Sequence, residues 1–454
     1  MSQKLSTKTK IFYGAGDTGF SLTSTILGAY FVIFLTDIVG LSPGIAAVSI
    51  FIGRSWDYIN DPIIGHISDR TRTRWGRRRP FLLFGALPFA AAFSLLWWRP
   101  PLESQTGLAV YYAIAYLLFD TAATFAYMPY FALTPELTTD YDERTALTGY
   151  RMFFSIFASL LSFTLPLMII GSFNPGNEDK VLRMGILFGI LSCLPLLLTF
   201  FGTREQTEHL ELGRPSLKES LKAAKQNRPF VFSAVIYLFT WVSMAILQTS
   251  LLFFIKYVVE RESQSDLLMA SIFIAAIIAL PFWSWASKNW NKQKAFIAGI
   301  AFWAVVQMVL ITLTPATGMP LLLTLCILAG IGVGAAHVLP WSIIPDAVEW
   351  DEYQTGQRHE GIFYSLIMLM QKIASSIAIP LVLLLLEFTG YVPNSTKQGS
   401  QAVTGIKMVV GPVPAVLLSA AIVFAFLYPL SREKHAEIVD KLEERRKSAV
   451  SEVL

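Results

Sequence analysis

The chain has 454 residues, 54% of them hydrophobic and 15% charged, with a net charge of +4. Soluble chains carry about 25% charged residues, so the composition excludes a string of soluble domains and points to a polytopic membrane protein. The two cysteines, Cys193 and Cys326, fall in apolar stretches and read as packed thiols, with no disulfide framework implied.

The first ten residues lack an apolar core followed by a small-residue cleavage site, so no cleaved signal peptide is expected. A membrane-crossing helix needs roughly 20 apolar residues. Twelve such stretches are predicted, at about 12–38, 43–68, 80–98, 107–134, 145–172 and 182–202, then 229–258, 265–287, 294–314, 318–345, 360–390 and 405–430. The expected architecture is an all-α membrane protein of two six-helix bundles, 1–202 and 229–430. A cytoplasmic linker, 203–228, joins them, and a cytoplasmic tail, 431–454, follows. Most of the 36 Lys and Arg residues fall on one side of these spans, including Arg70–Arg79, the 203–228 linker and the tail. The positive-inside rule makes that side, and both termini, cytoplasmic.

The second span carries Arg54-Ser-Trp-Asp-Tyr-Ile-Asn-Asp-Pro62. Arg54, Asp57 and Asp61 stand at i, i+3 and i+7, which places them on one helical face. Each charge at the bilayer centre costs about 2.5–3.5 kcal/mol even on lenient scales. That face is expected to look into protein or a watered cavity. Asp57 and Asp61, one turn apart with the Asn60 amide beside them, offer hard oxygen ligands for Na⁺ or a proton. Pro62 removes a backbone donor and frees a carbonyl near Asp61. The competing reading is a buried ion network that only pins helices together.

The following turn, Gly65 to Pro80, holds Asp69, Arg70, Arg77 and Arg78. These charges can pair across the cytoplasmic face and latch one conformation, besides setting topology. A nucleic-acid partner is not expected, because the cluster sits between two spans with no room for a binding module. The fourth span ends Met128-Pro-Tyr-Phe-Ala-Leu-Thr-Pro-Glu136 and the tenth ends Leu339-Pro-Trp-Ser-Ile-Ile-Pro-Asp346. Paired prolines before a carboxylate in matching places are expected where two halves rock around a central site. The linker segment Ser216–Asn227 reads equally as an amphipathic surface helix or a solvated connector. The tail from Glu433 to Arg446 is a charged helix candidate with an attracting Glu437–Lys441 pair. No nucleotide loop, His/Cys metal cluster or nucleophile–base spacing is present, so an enzyme is not expected.

These pieces carry a resemblance. Tyr13-Gly-Ala-Gly16, Phe34-Leu-Thr-Asp-Ile-Val-Gly-Leu41, Arg54-x-x-Asp57-x-x-Asn60-Asp61-Pro62 and Asp346 through Arg358-x-Glu360-Gly361 resemble motifs of one group. That group is the glycoside–pentoside–hexuronide:cation symporters of the major facilitator superfamily, which includes the melibiose permeases. The resemblance implies a cation site of Asp57, Asn60, Asp61 and Thr124, with Na⁺ at Asp57 and Asp61. It implies that Lys372 lies near these carboxylates and that Arg54 and Arg151 are buried partners. The candidate substrate residues are Asp17, Ser21, Asp120, Tyr127, Phe131, Arg151, His337, Trp341 and Lys372, of which Asp17 and Asp120 are intramembrane carboxylates additional to the family's pattern and suited to a different polar substrate. Ser21 and Tyr127 stand where melibiose permeases have sugar-anchoring aspartates, and Phe131 and His337 replace tryptophans.

The expected activity is Na⁺- or H⁺-coupled symport of a sugar or glycoside by a monomer in the cell (inner) membrane, with no cofactor and with membrane lipid as its surroundings. Two alternatives stand beside it. One is cation-coupled transport of an amphiphile such as a lysolipid, in a pocket of Tyr127, Phe131, Ile367 and Met368. The other is a non-transporting sensor.

Overall fold

A chain in hydrocarbon satisfies its backbone polar groups within itself, and the apolar stretches here fold as helices. The computed structural model describes residues 5–138, 140–205, 224–356, 360–393, 395 and 397–453. The first predicted span forms α1 (Thr7–Ala15) and α2 (Asp17–Ile33), closed by a π-helical turn, Phe34–Ile38. Then come α3 (Pro43–Ser55), α4 (Asp57–Arg70), α5 (Arg79–Leu96), α6 (Gln105–Phe131) and the short α7 (Thr134–Leu137). The N-terminal half is completed by α8 (Tyr141–Ile170) and α9 (Glu178–Gly202). The second half opens with α10 (Arg228–Phe253), which also ends in a π-helical turn, Phe254–Val258. It continues through α11 (Ser265–Asn289), α12 (Lys292–Leu310), α13 (Met319–Thr355) and α14 (Glu360–Phe388). The last elements are α15 (Ser400–Val410), α16 (Pro412–Phe426) and the tail helix α17 (Arg432–Val453).

Eleven helical segments among the described residues are long and apolar enough to cross a membrane. The second predicted span does not qualify. It is interrupted at Trp56, and Arg54, Asp57, Asp61, Asp69 and Arg70 make it too polar. Most of the predicted linker helix, and Arg358 of the loop motif, lie outside the described residues.

The chain divides into two compact units. Unit 1 contains Met1–Glu211 with Thr249–Ala270 and Ile379–Ile406. Its core is aromatic: Phe31 and Phe34 pack on Trp97 and Tyr112, with ring centroids 5.2–6.2 Å apart. Small residues let α2 approach its neighbours closely. A Cβ on Gly19 would lie 2.3 Å from the Ser192 carbonyl oxygen and 2.4 Å from the Tyr127 hydroxyl.

Unit 2 contains Leu212–Gln248, Ser271–Ala378 and Lys407–Leu454. Phe230, Tyr237, Ile344, Val348, Phe363 and Ile367 form a buried cluster there. The tail helix is docked: Ile438 and Leu442 are buried, Lys434 sits over the Trp350 ring and Lys441 over Tyr353. On both units large apolar side chains face outward, Leu87, Phe153 and Ile278 among them, as lipid-facing surfaces do.

Candidate cation and substrate site

The charged helix pair lies along α6, and each turn of contact is a specific one. Gly53 abuts the Tyr116 side chain. The Trp56 indole donates to the Thr121 hydroxyl at 3.0 Å, and the Asn60 amide donates to the Asp120 carbonyl at 3.4 Å. One turn further, the Thr124 hydroxyl lies 3.4 Å from an Asp57 oxygen and 3.2 Å from an Asp61 oxygen. A hydroxyl has one proton, so it can donate to only one of the two carboxylates at a time. Its lone pairs remain available to a cation between them.

Asn60 and Thr124 are buried and the two aspartates are half-buried, whereas Tyr58, Ile59 and Ile63 on the other face of α4 are exposed. Helical periodicity thus sorts α4 into an oxygen-bearing face on α6 and an apolar outer face. Two carboxylates, a hydroxyl and an amide make an all-oxygen donor set suited to a hard cation. Pro62 has no N–H to offer the Tyr58 carbonyl one turn back. Arg54 stacks 6.0 Å from the Tyr116 ring centroid, and its Nε has no hydrogen-bond partner.

A second group forms where α2, α6 and α8 meet, also in unit 1. Asp17 is buried, with Arg151 Nε 3.7 Å from its carboxylate, a loose ion pair. The Arg151 guanidinium lies 5.3 Å from the Phe131 ring centroid. Ser21 and Ser155 hydroxyls are 2.6 Å apart. Phe20 meets Phe131 edge-on and Tyr127 at a tilt. Asp120, Thr124, Tyr127 and Phe131 follow one stripe of α6, at spacings of four, three and four residues, so the two groups share a helix face. Tyr127 is fully buried against Phe89, and its hydroxyl has no hydrogen-bond partner.

Unit 2 carries the remaining expected residues on an aromatic wall. His337 packs against Trp241, and its ring nitrogen donates to the Val333 carbonyl at 3.2 Å. Trp241 stacks on Tyr237, which meets Trp341 edge-on, and Trp341 stacks on Tyr364. Tyr237 donates to Gln371 at 3.2 Å, one residue before the half-buried Lys372. Met368 is exposed and Ile367 is buried.

Comparison with known proteins decides the family. The model of the family described as MFS/sugar transport protein matches residues 12–432. The chain belongs to this family of the major facilitator superfamily. An uncharacterized symporter of Synechocystis is 31% identical over 98% of both chains. Sodium-dependent lysophosphatidylcholine symporter 1-A of Danio rerio is 30% identical over 94% of this chain and 86% of the relative. The human sodium-dependent lysophosphatidylcholine symporter 1 is 26% identical over 99% and 90%. Among solved structures, a bacterial homolog of the human lysosomal transporter Spinster matches with a TM-score of 0.67 at 11% identity, covering 93% of this chain and 95% of that one. That likeness shares the fold alone. The protein is therefore a multi-pass transport protein of the MFS/sugar transport family and not an enzyme.

Two further charge clusters of this family member lie in unit 1. At the end of α4, Arg78 is almost fully buried and bonds Asp69, Ser68 and, at 3.0 Å, Glu136. Arg77 donates to the same Glu136 oxygen at 2.8 Å, while Arg70 is exposed and stands outside the cluster. Sequence reasoning missed Glu205. Its carboxylate accepts from the backbone N–H groups of Arg77, Arg78 and Arg79 at 2.7, 2.8 and 2.9 Å, capping α5. Gly76, at φ +104°, is needed there, because a Cβ would strike that carboxylate.

The other cluster was also missed. Asp37, fully buried in the first π-helical turn, accepts from Lys256 Nζ at 2.6 Å and from the hydroxyls of Tyr257 and Tyr391. Lys256 stands in the matching π-helical turn of the second half, 3.7 Å from Glu262. The available signal was an acid and a base at matching ends of the first span of each half.

Proposed function

We propose that the protein couples Na⁺ inflow to transport of an amphiphile with a charged headgroup, of the lysolipid class. The Thr124 hydroxyl set between Asp57 and Asp61 carries the cation part of this reading. Sodium-dependent relatives aligned over nearly the whole chain support Na⁺ over a proton. The substrate part rests on the same relatives and on the Asp17–Arg151 pair beside Phe20 and Phe131. An acid and a base near an apolar rim complement a zwitterionic head with a hydrocarbon tail. Arg151 would hold the anionic group, and the aromatic side chains would flank the chain.

The cation's role follows from charge. Two carboxylates one turn apart in a low dielectric repel, and a bound Na⁺ removes that repulsion and ties α4 to α6 through Thr124. Asp69, Arg77 and Arg78 are read as a latch that holds one conformation at the basic end. A glycoside remains the second reading, favoured by the Ser21–Ser155 hydroxyl pair and by stacking surfaces such as Phe131 and Trp341.

Proteoliposomes with an imposed Na⁺ gradient separate the two readings. Labelled lysophosphatidylcholine should accumulate, and a panel of glycosides should neither accumulate nor compete. Glycoside accumulation with lysolipid inert would overturn the substrate assignment. Asp61→Asn should abolish accumulation while inserting normally, and unchanged accumulation would defeat the cation assignment.

A further inference from the structure

A cavity of about 170 Å³ opens in unit 2 where α11 turns into α12 and the chain leaves α16 for the tail helix. That is room for several water volumes, and so for a phosphate group. Lys288, Lys292, Arg432 and His435 line it; Lys292 pairs Asp346, the one carboxylate among the lining residues, and His435 bonds Glu349 just outside it.

Two helix N-termini meet at this cavity. The Asn291 side chain caps α12 by accepting from Gln293 N at 3.0 Å, and Ser431 caps α17 by accepting from Lys434 N at 3.3 Å. Both capping residues line the cavity, so both helix dipoles favour an anion within it. An independent observation concerns Tyr428. It lines the same cavity at 7% exposure, and its hydroxyl has no hydrogen-bond partner. Buried hydroxyls are nearly always bonded, so an unbonded one on a residue of the cavity wall is an anomaly.

The aromatic side chains nearby point to the source of an occupant. Phe282, Trp285 and Trp290, near the lining residues Ser287, Lys288 and Asn291 in sequence, are exposed and contact one another in a ring cluster. Exposed tryptophans at a span end mark the headgroup level of a bilayer. We propose that this cavity binds the phosphate of an anionic membrane lipid. Lys288 and Arg432 supply the charge, the Tyr428 hydroxyl donates to a phosphate oxygen, and the acyl chains lie along the outer face of α11. Basic pockets between spans are suited to such headgroups. The inference needs only that the chain spans a membrane and is independent of the transported substrate.

The test uses the full-length protein in phosphatidylcholine nanodiscs with and without phosphatidylglycerol, read by thermal unfolding. Phosphatidylglycerol should raise the midpoint by several degrees. The double variant Lys288→Gln/Arg432→Gln should lose more than half of that shift, and Tyr428→Phe should lose part of it. Lys294→Gln, exposed and outside the cavity, should keep it. Millimolar inorganic phosphate in detergent should give a small fraction of the effect. The proposal is overturned if the double variant keeps the full shift, or if Lys294→Gln loses as much as the cavity variants. It is also overturned if inorganic phosphate alone reproduces the shift, which would make this a free-anion site. If the double variant does not fold, Tyr428→Phe decides: an unchanged shift counts against the site.

Discussion

Thr124 is where the account is most exposed at the scale of single residues. Its hydroxyl lies within 3.5 Å of an oxygen of both Asp57 and Asp61. Thr124→Val keeps the shape and removes the oxygen. Losing one such interaction costs about 1–1.5 kcal/mol, so the Na⁺ concentration for half-maximal transport should rise about tenfold with little change in expression. A sodium titration of transport reads this directly, and an unshifted curve would remove Thr124 from the site. Asp57, Asn60 and Asp61 were legible in the sequence because charges in an apolar stretch have few harmless explanations. Their facing partner was legible only through family resemblance, since a threonine on an apolar helix carries no signal of its own. The Asp37–Lys256 pair was hinted at only by an acid and a base at matching span ends, because the partners are 219 residues apart and nothing local to either names the other. Glu205 escaped for the same reason: its three backbone bonds exist only once the chain brings α9 beside α5.

Among the elements, the two π-helical turns behave as one device. Each turns a charged side chain inward, and the acid of one meets the base of the other with two tyrosines in attendance. Removing one partner of a buried pair costs about 3–5 kcal/mol, whereas removing both with matched apolar groups is far milder. Asp37→Asn or Lys256→Met alone should therefore lower the unfolding temperature markedly, and Asp37→Leu/Lys256→Met should recover much of the loss. Additive losses in a double-mutant cycle would show that the two residues act separately.

The docked tail makes a pH-dependent prediction. The His435 ring bonds Glu349 and lies 3.5 Å from Asp346, and the Glu349 bond, opposed by burial and helped by Asp346, raises its pKa. A raised histidine pKa means that the docking energy is fully present below the unfolded value of about 6.5 and is lost as pH rises through the folded value above it. Limited proteolysis of the tail should quicken across that window, and His435→Gln should flatten the profile. A wild-type profile that is already flat would exclude the histidine as the holding group.

For the molecule as a whole, the fold class and helix order followed from length and hydropathy, since twenty apolar residues in a row leave few options in water or lipid. The second span shows where that reasoning stops. Its polarity is what makes it the candidate cation site, and the same polarity keeps it out of the helices apolar enough to cross a membrane. Substrate identity was least legible. Hydroxyls, aromatics and one ion pair suit both a sugar and a zwitterionic lipid, and the relatives moved the choice toward the lipid.

The central claim is that Asp57, Asp61 and Thr124 bind the coupling cation, and sodium titration of purified protein by thermal unfolding tests it most directly. Ligand linkage predicts a midpoint that climbs with Na⁺ concentration in the wild type, a curve displaced to higher Na⁺ in Thr124→Val, and no climb in Asp61→Asn. Identical curves for the three proteins, measured against a choline control, would contradict the account.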